Sequence, residues 1–370
     1  MLALAPRAPN RYLTPKRFAK ALWLIRDEEG ALEMVSIAAV AKKAGVSPTT
    51  VSHALSGKRK VSGEVKARVF AAMSQLDYAP SRSAQNLALG VTRTLALMVP
   101  DIGNGYFAEL AKGVERAAVE RGYNVILCTT GFDHAREVRY LEIINSRAVD
   151  GIVYAAGVPP NDAELRRLLK GMPLVFVDEE TEGTRFTAVV SDNEAGGRLA
   201  AEHLLDLGHR AALVVGVAGD PASSARRTRG FLEVWAAAGG RSVQDNGGDF
   251  TERSGRAAAG RHLPDLAGGG LTAVFAHNDL MALGVINALR ARGVRVPEDV
   301  SVIGFDDIPA ACYSYPALTT VRQDVVGLGT TATAKIIGSL ESEEPLDGRQ
   351  VLLPVELVAR DSTARRAGRP

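Results

Sequence analysis

Ser36-Ile-Ala-Ala-Val-Ala-Lys-Lys-Ala-Gly45-Val-Ser-Pro-Thr-Thr-Val-Ser-His-Ala-Leu55 is the stretch on which the reading of this chain turns. Ile37, Val40, Ala41 and Ala44 recur at i, i+3, i+4 and i+7, the spacing of one helical face. Ser36 stands at the N-cap position, and Gly45 stands where a left-handed residue ends a helix. Ser47 and then Pro48 open a second helix, since proline lacks only an N–H that the first turn leaves unpaired anyway. Val51 and Leu55 form its inward pair, while Thr49, Ser52 and His53 face outward with Thr50 beside them. Two short helices joined by a tight Gly45-Val46 turn make a helix-turn-helix. Ser62 caps a third helix whose apolar stripe is Val65, Val69, Ala72, Met73 and Leu76, so three helices share one small core.

The second helix has the chemistry of a base reader. Its N-terminal residues can enter a major groove, where short Thr49 and Thr50 side chains permit close approach and His53 offers a donor or acceptor to a base edge. Ser47 and the free N–H groups at the helix start suit a phosphate. Residues 34–90 carry Lys42, Lys43, Lys58, Arg59, Lys60, Lys66, Arg68 and Arg82 against Glu64 and Asp77, a charge of +6, whereas residues 91–370 carry −6. A basic head on an acidic body points to a polyanion as partner. The plainer reading is a solvated polar face. The next segment, Ser81 to Gly90, forms one helix too short to stand alone in water, which reads as a hinge that folds on binding.

The chain of 370 residues has room for two or three domains, and 46% hydrophobic with 23% charged residues is ordinary globular composition. Cys128 and Cys312 are too few for a disulfide framework. Pro6, Arg7 and Pro9 interrupt the N-terminus, so no secretory signal is expected, and a cytoplasmic location is. From Arg93, short apolar runs such as Thr94–Val99, Gly151–Ala155, Leu174–Val177, Ala273–Ala276 and Val300–Phe305 alternate with amphipathic helical stretches, the βαβ rhythm of a doubly wound parallel α/β fold. Asp178, Asn278, Asp279 and Asp306 directly follow strands, where such sheets bind ligands. No phosphate-binding loop, dinucleotide fingerprint, zinc-protease motif or nucleophile elbow occurs, so neither catalysis nor a cofactor or metal is expected. An enzyme and a solute-binding protein on the same α/β fold are the rival classes.

These residues resemble the lactose/galactose repressor family of bacterial transcription regulators. The resemblance rests on Ser36–Leu55, on Ala79-Pro-Ser-Arg-Ser-Ala-Gln-Asn-Leu-Ala88, and on Val99-Pro-Asp-Ile-Gly-Asn-Gly-Tyr-Phe107, Val149-Asp-Gly-Ile-Val153, Arg227-Thr-Arg-Gly-Phe231 and Val302-Ile-Gly-Phe-Asp-Asp307, and it spans about residues 36–360. It implies a homodimer whose two heads (34–79) read the halves of a near-palindromic operator, as a repressor in most members. It also implies paired hinge helices (80–92) in the minor groove, each inserting a leucine, Leu87 by motif position, with Ala84 and Asn86 flanking it. The body (93–370) is implied to be two lobes of periplasmic-binding-protein type, lobe one at 93–191 and 322–342, lobe two at 192–321 and 343–361. The chain is then expected to cross near 191–193, 321–324 and 340–346.

By the same resemblance a small-molecule effector, a sugar or sugar-like polyol, sits between the lobes on Asp178, Arg227, Asn278 and Asp306. Phe250 stacks on it, and Tyr106 and Phe107 line the cleft mouth. A nucleobase acting as corepressor, or a sugar phosphate held by Arg227, is the alternative. Ala38 and Ala39 replace residues that are commonly polar in the family, and His53 resembles the purine-repressor type. Residues 1–33 read as an upstream misreading of the start, with a basic arm on DNA as the other possibility. No leucine heptads follow Arg360, so a dimer is expected.

Overall fold

In a computed structural model of the chain, the residues described are 36–55, 59–78, 91–145, 149–155, 157–179, 185–219 and 221–366, with the backbone of Ser56 and of two short strands near the N-terminus. They fall into two compact units, Met1–Thr92 and Arg93–Pro370. The hinge segment 79–90, and with it Ala84, Asn86 and Leu87, lies outside the described residues.

In the first unit strands β1 (Leu24–Arg26) and β2 (Leu32–Met34) pair antiparallel. Helices α1 (Ile37–Ala44), α2 (Pro48–Ser56) and α3 (Gly63–Gln75) follow. Ser36 Oγ accepts the Ala39 N–H at 3.3 Å, and Gly45 sits at φ 64°, so both ends of α1 are closed as its sequence requires. Val40, Ala41, Ala44, Val51, Ala54, Val69, Ala72 and Met73 form the shared core. Ala54, not Leu55, is the deeper partner of Val51 on α2; Leu55 packs at the rim.

The second unit holds two six-stranded sheets. Lobe one orders its strands β13-β7-β6-β5-β3-β4, all parallel: β3 (Thr94–Val99), β4 (Asn124–Thr129), β5 (Gly151–Tyr154), β6 (Leu174–Val177), β7 (Thr187–Ser191) and β13 (Gln350–Leu353). Lobe two orders β14-β12-β11-β10-β8-β9: β8 (Ala211–Val217), β9 (Arg241–Gly248), β10 (Ala273–Ala276), β11 (Ser301–Asp306), β12 (Thr319–Gln323) and the antiparallel edge β14 (Val355–Val358). The central strands are continuous apolar runs because helices cover both faces. Those helices include α4 (Gly105–Glu120), α5 (His134–Ile144), α6 (Asp162–Leu169), α7 (Asn193–Asp206), α8 (Ala222–Ala237), α9 (Glu252–Arg261), α10 (Leu263–Ala267), α11 (Asp279–Arg290), α12 (Pro309–Tyr313) and α13 (Val325–Ser342). None among the described residues is long and apolar enough to cross a membrane.

The lobe boundary read from the sequence needs one correction. Residues 350–353 pair with β7, so they belong to lobe one, and the third crossing falls at Pro354 between β13 and β14, not around 340–346. Helix α13 returns the chain to lobe one and packs so tightly on α4 that a Cβ on Gly113 would collide with the Val326 carbonyl oxygen; one on Gly329 would lie 2.6 Å from that of Leu110.

Candidate DNA-reading head and effector cleft

The start of α2 is built by Ser47. Its Oγ accepts the Thr50 N–H at 3.1 Å and lies 2.8 Å from Thr50 Oγ1, so both hydroxyls are already joined in the cap. Pro48 and Thr49 are exposed, and Ser52 and His53 are half-buried on the same helix. Arg68 of α3 reaches back to the Gly45 carbonyl at 3.4 Å, tying the third helix to the turn. Lys42, Lys43, Lys66 and Arg68 remain on the outside. This is a rigid three-helix support presenting a polar helix start with basic residues around it, which is what groove reading requires.

In the second unit a cleft of about 700 Å³ opens between the lobes at the carboxyl ends of the strands. It brings together all seven effector residues named from the sequence: Tyr106, Phe107, Asp178, Arg227, Phe250, Asn278 and Asp306. Asn104 caps α4 by accepting the Tyr106 N–H at 3.1 Å, which sets Tyr106 and Phe107 in the first turn, both buried and packed edge to face at 5.2 Å. The Tyr106 hydroxyl donates to Asp178 Oδ1 at 2.7 Å.

Arg227 is 3% exposed. Its Nε donates to Asn193 Oδ1 at 2.8 Å, its Nη1 donates to the His277 carbonyl, and Nη1 lies 3.8 Å from Asp306 Oδ1. The guanidinium also stacks 3.9 Å over the Phe305 ring. Gln323 Nε2 donates to Asp306 Oδ1 at 2.7 Å. The guanidinium charge is therefore met inside the protein. His277, buried between Ser224 Oγ and Thr228 Oγ1, is driven by burial and by Arg227 down to about 3 and is neutral.

Sequence reasoning did not name Glu179 and Ser223, which line the cleft, nor Asn193 and Gln323, which hold Arg227 and Asp306 from behind it. Glu179 accepts the Ser223 N–H at 3.2 Å and also the Ser223 hydroxyl, a bond from the end of β6 in lobe one to α8 in lobe two. Its one available signal was the Asp178-Glu179 pair after a strand. Burial, reinforced by Asp178, pushes Glu179 up to about 7. Burial likewise raises Asp178, against the pull of Arg227, and lifts Asp306 to about 7 with Asp178 adding to it. Asn278 is less free than its sequence position suggested. Its Oδ1 caps α11 by accepting the Met281 N–H at 2.9 Å, and its Nδ2 donates to the Phe250 carbonyl at 3.0 Å. Asp279 is a structural acid, taking the Thr320 hydroxyl at 2.6 Å and the Ile308 N–H at 2.9 Å.

Residues 36–81 match the model of the lacI family of bacterial regulatory proteins, and residues 201–363 that of a periplasmic binding protein-like domain. The transcriptional regulator DegA of Bacillus subtilis is 34% identical over 88% of this chain and 97% of its own length. The transcriptional repressor PurR of Aliivibrio fischeri is 33% identical over 90% of this chain and 99% of its own. Among solved structures, the Lac repressor dimer bound to operator and an anti-inducer superposes with a TM-score of 0.76 at 27% identity, covering 89% of this chain and 99% of that one. The complex of the transcriptional regulator CelR with cellobiose gives 0.65 at 30% identity, with the same two coverages.

Proposed function

Because the chain belongs to the lacI family of bacterial regulatory proteins, we propose that it is a cytoplasmic homodimeric repressor whose operator affinity is set by an uncharged sugar bound between its lobes. The observation that carries the choice of effector is the charge balance of the cleft. Asp178, Glu179 and Asp306 face it below the surface, and the buried cation among the described lining residues, Arg227, already lies 3.8 Å from Asp306. Arg136, the other lining cation, is exposed, as are Asp101 and Asp249. A phosphate or carboxylate ligand would meet uncompensated acid groups. Hydroxyls of a neutral sugar can donate to those groups while Phe250 covers an apolar face.

Thr49, Thr50, Ser52 and His53 are the base-reading side chains in this proposal, with Ser47 and Pro48 shaping the helix start that meets phosphate. Ala84, Asn86 and Leu87 act at the operator centre, where an apolar wedge kinks the duplex and gains contact in return. Exposed Ile126 and Leu127 on lobe one, and Tyr313 and Tyr315 on lobe two, support a second copy as partner. A nucleobase corepressor is the second reading, favoured by the four rings lining the cleft, Tyr106, Phe107, Phe132 and Phe250.

The test is selection of genomic fragments by the purified protein at fixed salt, followed by titration of the enriched duplex with ribose, cellobiose, glucose 6-phosphate and hypoxanthine. A near-palindrome whose binding is altered by a neutral sugar and unaffected by the phosphate ester supports the reading. A response to hypoxanthine alone favours the second, and a response to the phosphate ester overturns the charge argument. The sign of the response separates inducer from corepressor.

A further inference from the structure

Glu137, on α5, is fully buried and stands behind the wall of the cleft. Four donors converge on its carboxylate. Thr130 Oγ1 donates to Oε1 at 3.2 Å, and the backbone N–H groups of Gly157 and Val158 donate to the same oxygen at 3.0 Å each. The Tyr154 hydroxyl, itself buried, donates to Oε2. All four donors are neutral, and a buried carboxylate is tolerated only where such bonds replace its hydration. Burial, with Glu137 beside it, holds the Tyr154 hydroxyl far above the ordinary phenol range, so it remains a donor. One turn earlier on the same helix, His134 Nδ1 lies 3.0 Å from the Val158 carbonyl oxygen. Helix α5 thus grips both backbone groups of Val158.

What it grips is one end of the cleft, which Gly131, Phe132, Gly157 and Val158 line. Phe132 is a non-glycine residue at φ 56°, and a Cβ on Gly157 would lie 3.0 Å from the Phe132 ring and 3.1 Å from Glu137 Oε1. The two loops are closely fitted, and the left-handed backbone at Phe132 persists because its surroundings fix it. Ile102, Phe132 and Val158 are 38%, 43% and 44% exposed, which makes this end an apolar shelf. Strand order places it. Asp178 follows β6, Gly157 and Val158 follow the adjacent β5, and Phe132 follows β4, three strands from β6. At about 4.8 Å per strand, the shelf runs from roughly 5 to roughly 14 Å beyond Asp178.

We propose that Glu137 is a positioning residue that fixes this shelf and thereby sets the length of effector the cleft accepts. A single ring held by Asp178 and Asp306 stops short of Phe132, whereas a second ring rests on the shelf. Glu137 itself touches no effector, so its loss weakens the longer ligand and spares the shorter. This role rests on the cleft being an effector site, yet its first readout needs no effector, so the two fail separately.

Amide hydrogen exchange of the full chain is compared with that of three variants. Glu137→Gln keeps an oxygen for the two N–H groups; Glu137→Leu with Tyr154→Phe removes the grip together with the hydroxyl that would lose its acceptor. Gly157→Ala displaces the same loop with Glu137 in place, and decides the matter if the double variant does not fold. Pro159 and Pro160 carry no amide N–H, so a peptide spanning 155–160 reads Gly157 and Val158 with little else. These amides are expected to exchange slowly in the unsubstituted protein and in Glu137→Gln. In the other two variants they exchange about ten-fold faster, with peptides of β3 unchanged. The same two variants are expected to lose about ten-fold in affinity for cellobiose and under about two-fold for ribose. Fast exchange in the unsubstituted protein, equal exchange in every variant, or acceleration that extends to β3 overturns the proposal. So does a protein that binds ribose alone, or a cellobiose-to-ribose ratio that no variant moves. If neither sugar binds, the sugar reading of the cleft fails, and the exchange result decides whether Glu137 holds the shelf.

Discussion

Replacing Arg227 by Met tests the electrostatics of the cleft because methionine fills similar space without charge. At 3.8 Å from Asp306, and with an effective dielectric constant of about 20, the lost attraction is about 4 kcal/mol. That agrees with the ~3–5 kcal/mol cost of removing one partner of a buried pair. Hydrogen bonds to Asn193 and to the His277 carbonyl are lost at every pH, for about 1–2 kcal/mol together. The pair itself exists only while Asp306 is ionised. With Asp306 and Glu179 both held up to about 7, the folded protein keeps protons that the unfolded chain releases from about pH 4 upward. Stability therefore falls as pH rises through 7 in the unsubstituted protein. Without Arg227 the carboxyls rise further, and the fall is steeper.

Urea denaturation followed by circular dichroism at pH 5.5 and pH 8.0 reads both quantities. Arg227→Met is expected to lose about 1–2 kcal/mol at pH 5.5. At pH 8.0 it loses a further ~1.4 kcal/mol for each acid that then stays protonated, because protonation limits the lost attraction to that amount per pH unit above the folded value of about 7. The same loss at both values, or a larger one in acid, would refute the reasoning, since it would mean that Arg227 is not the counter-charge of titrating acids.

Leu87→Ala is expected to weaken binding to the selected operator far more than binding to a random duplex in titrations at one salt concentration; equal losses would remove it as a wedge. Gly113→Ala forces a methyl against the Val326 carbonyl, and overpacking of about 1–3 kcal/mol should lower the thermal midpoint of the body; an unchanged midpoint would show that α13 can retreat. Ser47→Ala deletes the cap of α2 and should cost the head about 1 kcal/mol, read by helical signal loss on heating. Retained stability would mean that Thr50 caps the helix alone.

What the sequence shows of the fold is what local pattern encodes. Ser36, Gly45, Ser47 and Ser62 are chemical punctuation whose meaning does not depend on distant residues, and all four act as read. The central strands are legible because burial on both faces demands unbroken apolar runs. Strand β9, Arg-Ser-Val-Gln-Asp-Asn-Gly-Gly, is not legible, since it lies at a sheet edge with a solvated face. Helix α13 carries three glycines and three threonines, poor helix formers, and it exists because glycine lets it approach α4 closely. The third crossing was misplaced for a related reason: β13 and β14 are one short ribbon divided between two sheets, and nothing in its own residues says which neighbour each half joins.

The site shows the same division more sharply. Strand ends announce Asp178 and Asp306, and the resemblance assigns Arg227 to the cleft, so which residues gather is readable. What they do together is not. Arg227 taken alone is an anion receptor, and on that basis a sugar phosphate is a reasonable ligand. Placed beside Asp306, over Phe305 and against Asn193, it is a counter-charge to buried acids, and that is the ground on which a neutral ligand is proposed. Asn278 loses freedom in the same way, because its amide already joins a helix cap to the Phe250 carbonyl. Residue type is a local property, whereas the sign of a site is a sum over neighbours that only the fold supplies. Glu179 and Gln323, neither named from the sequence, change that sum: one adds a carboxyl beside Asp178 below the surface of the cleft, and the other spends its amide on the same Asp306 oxygen that faces Arg227.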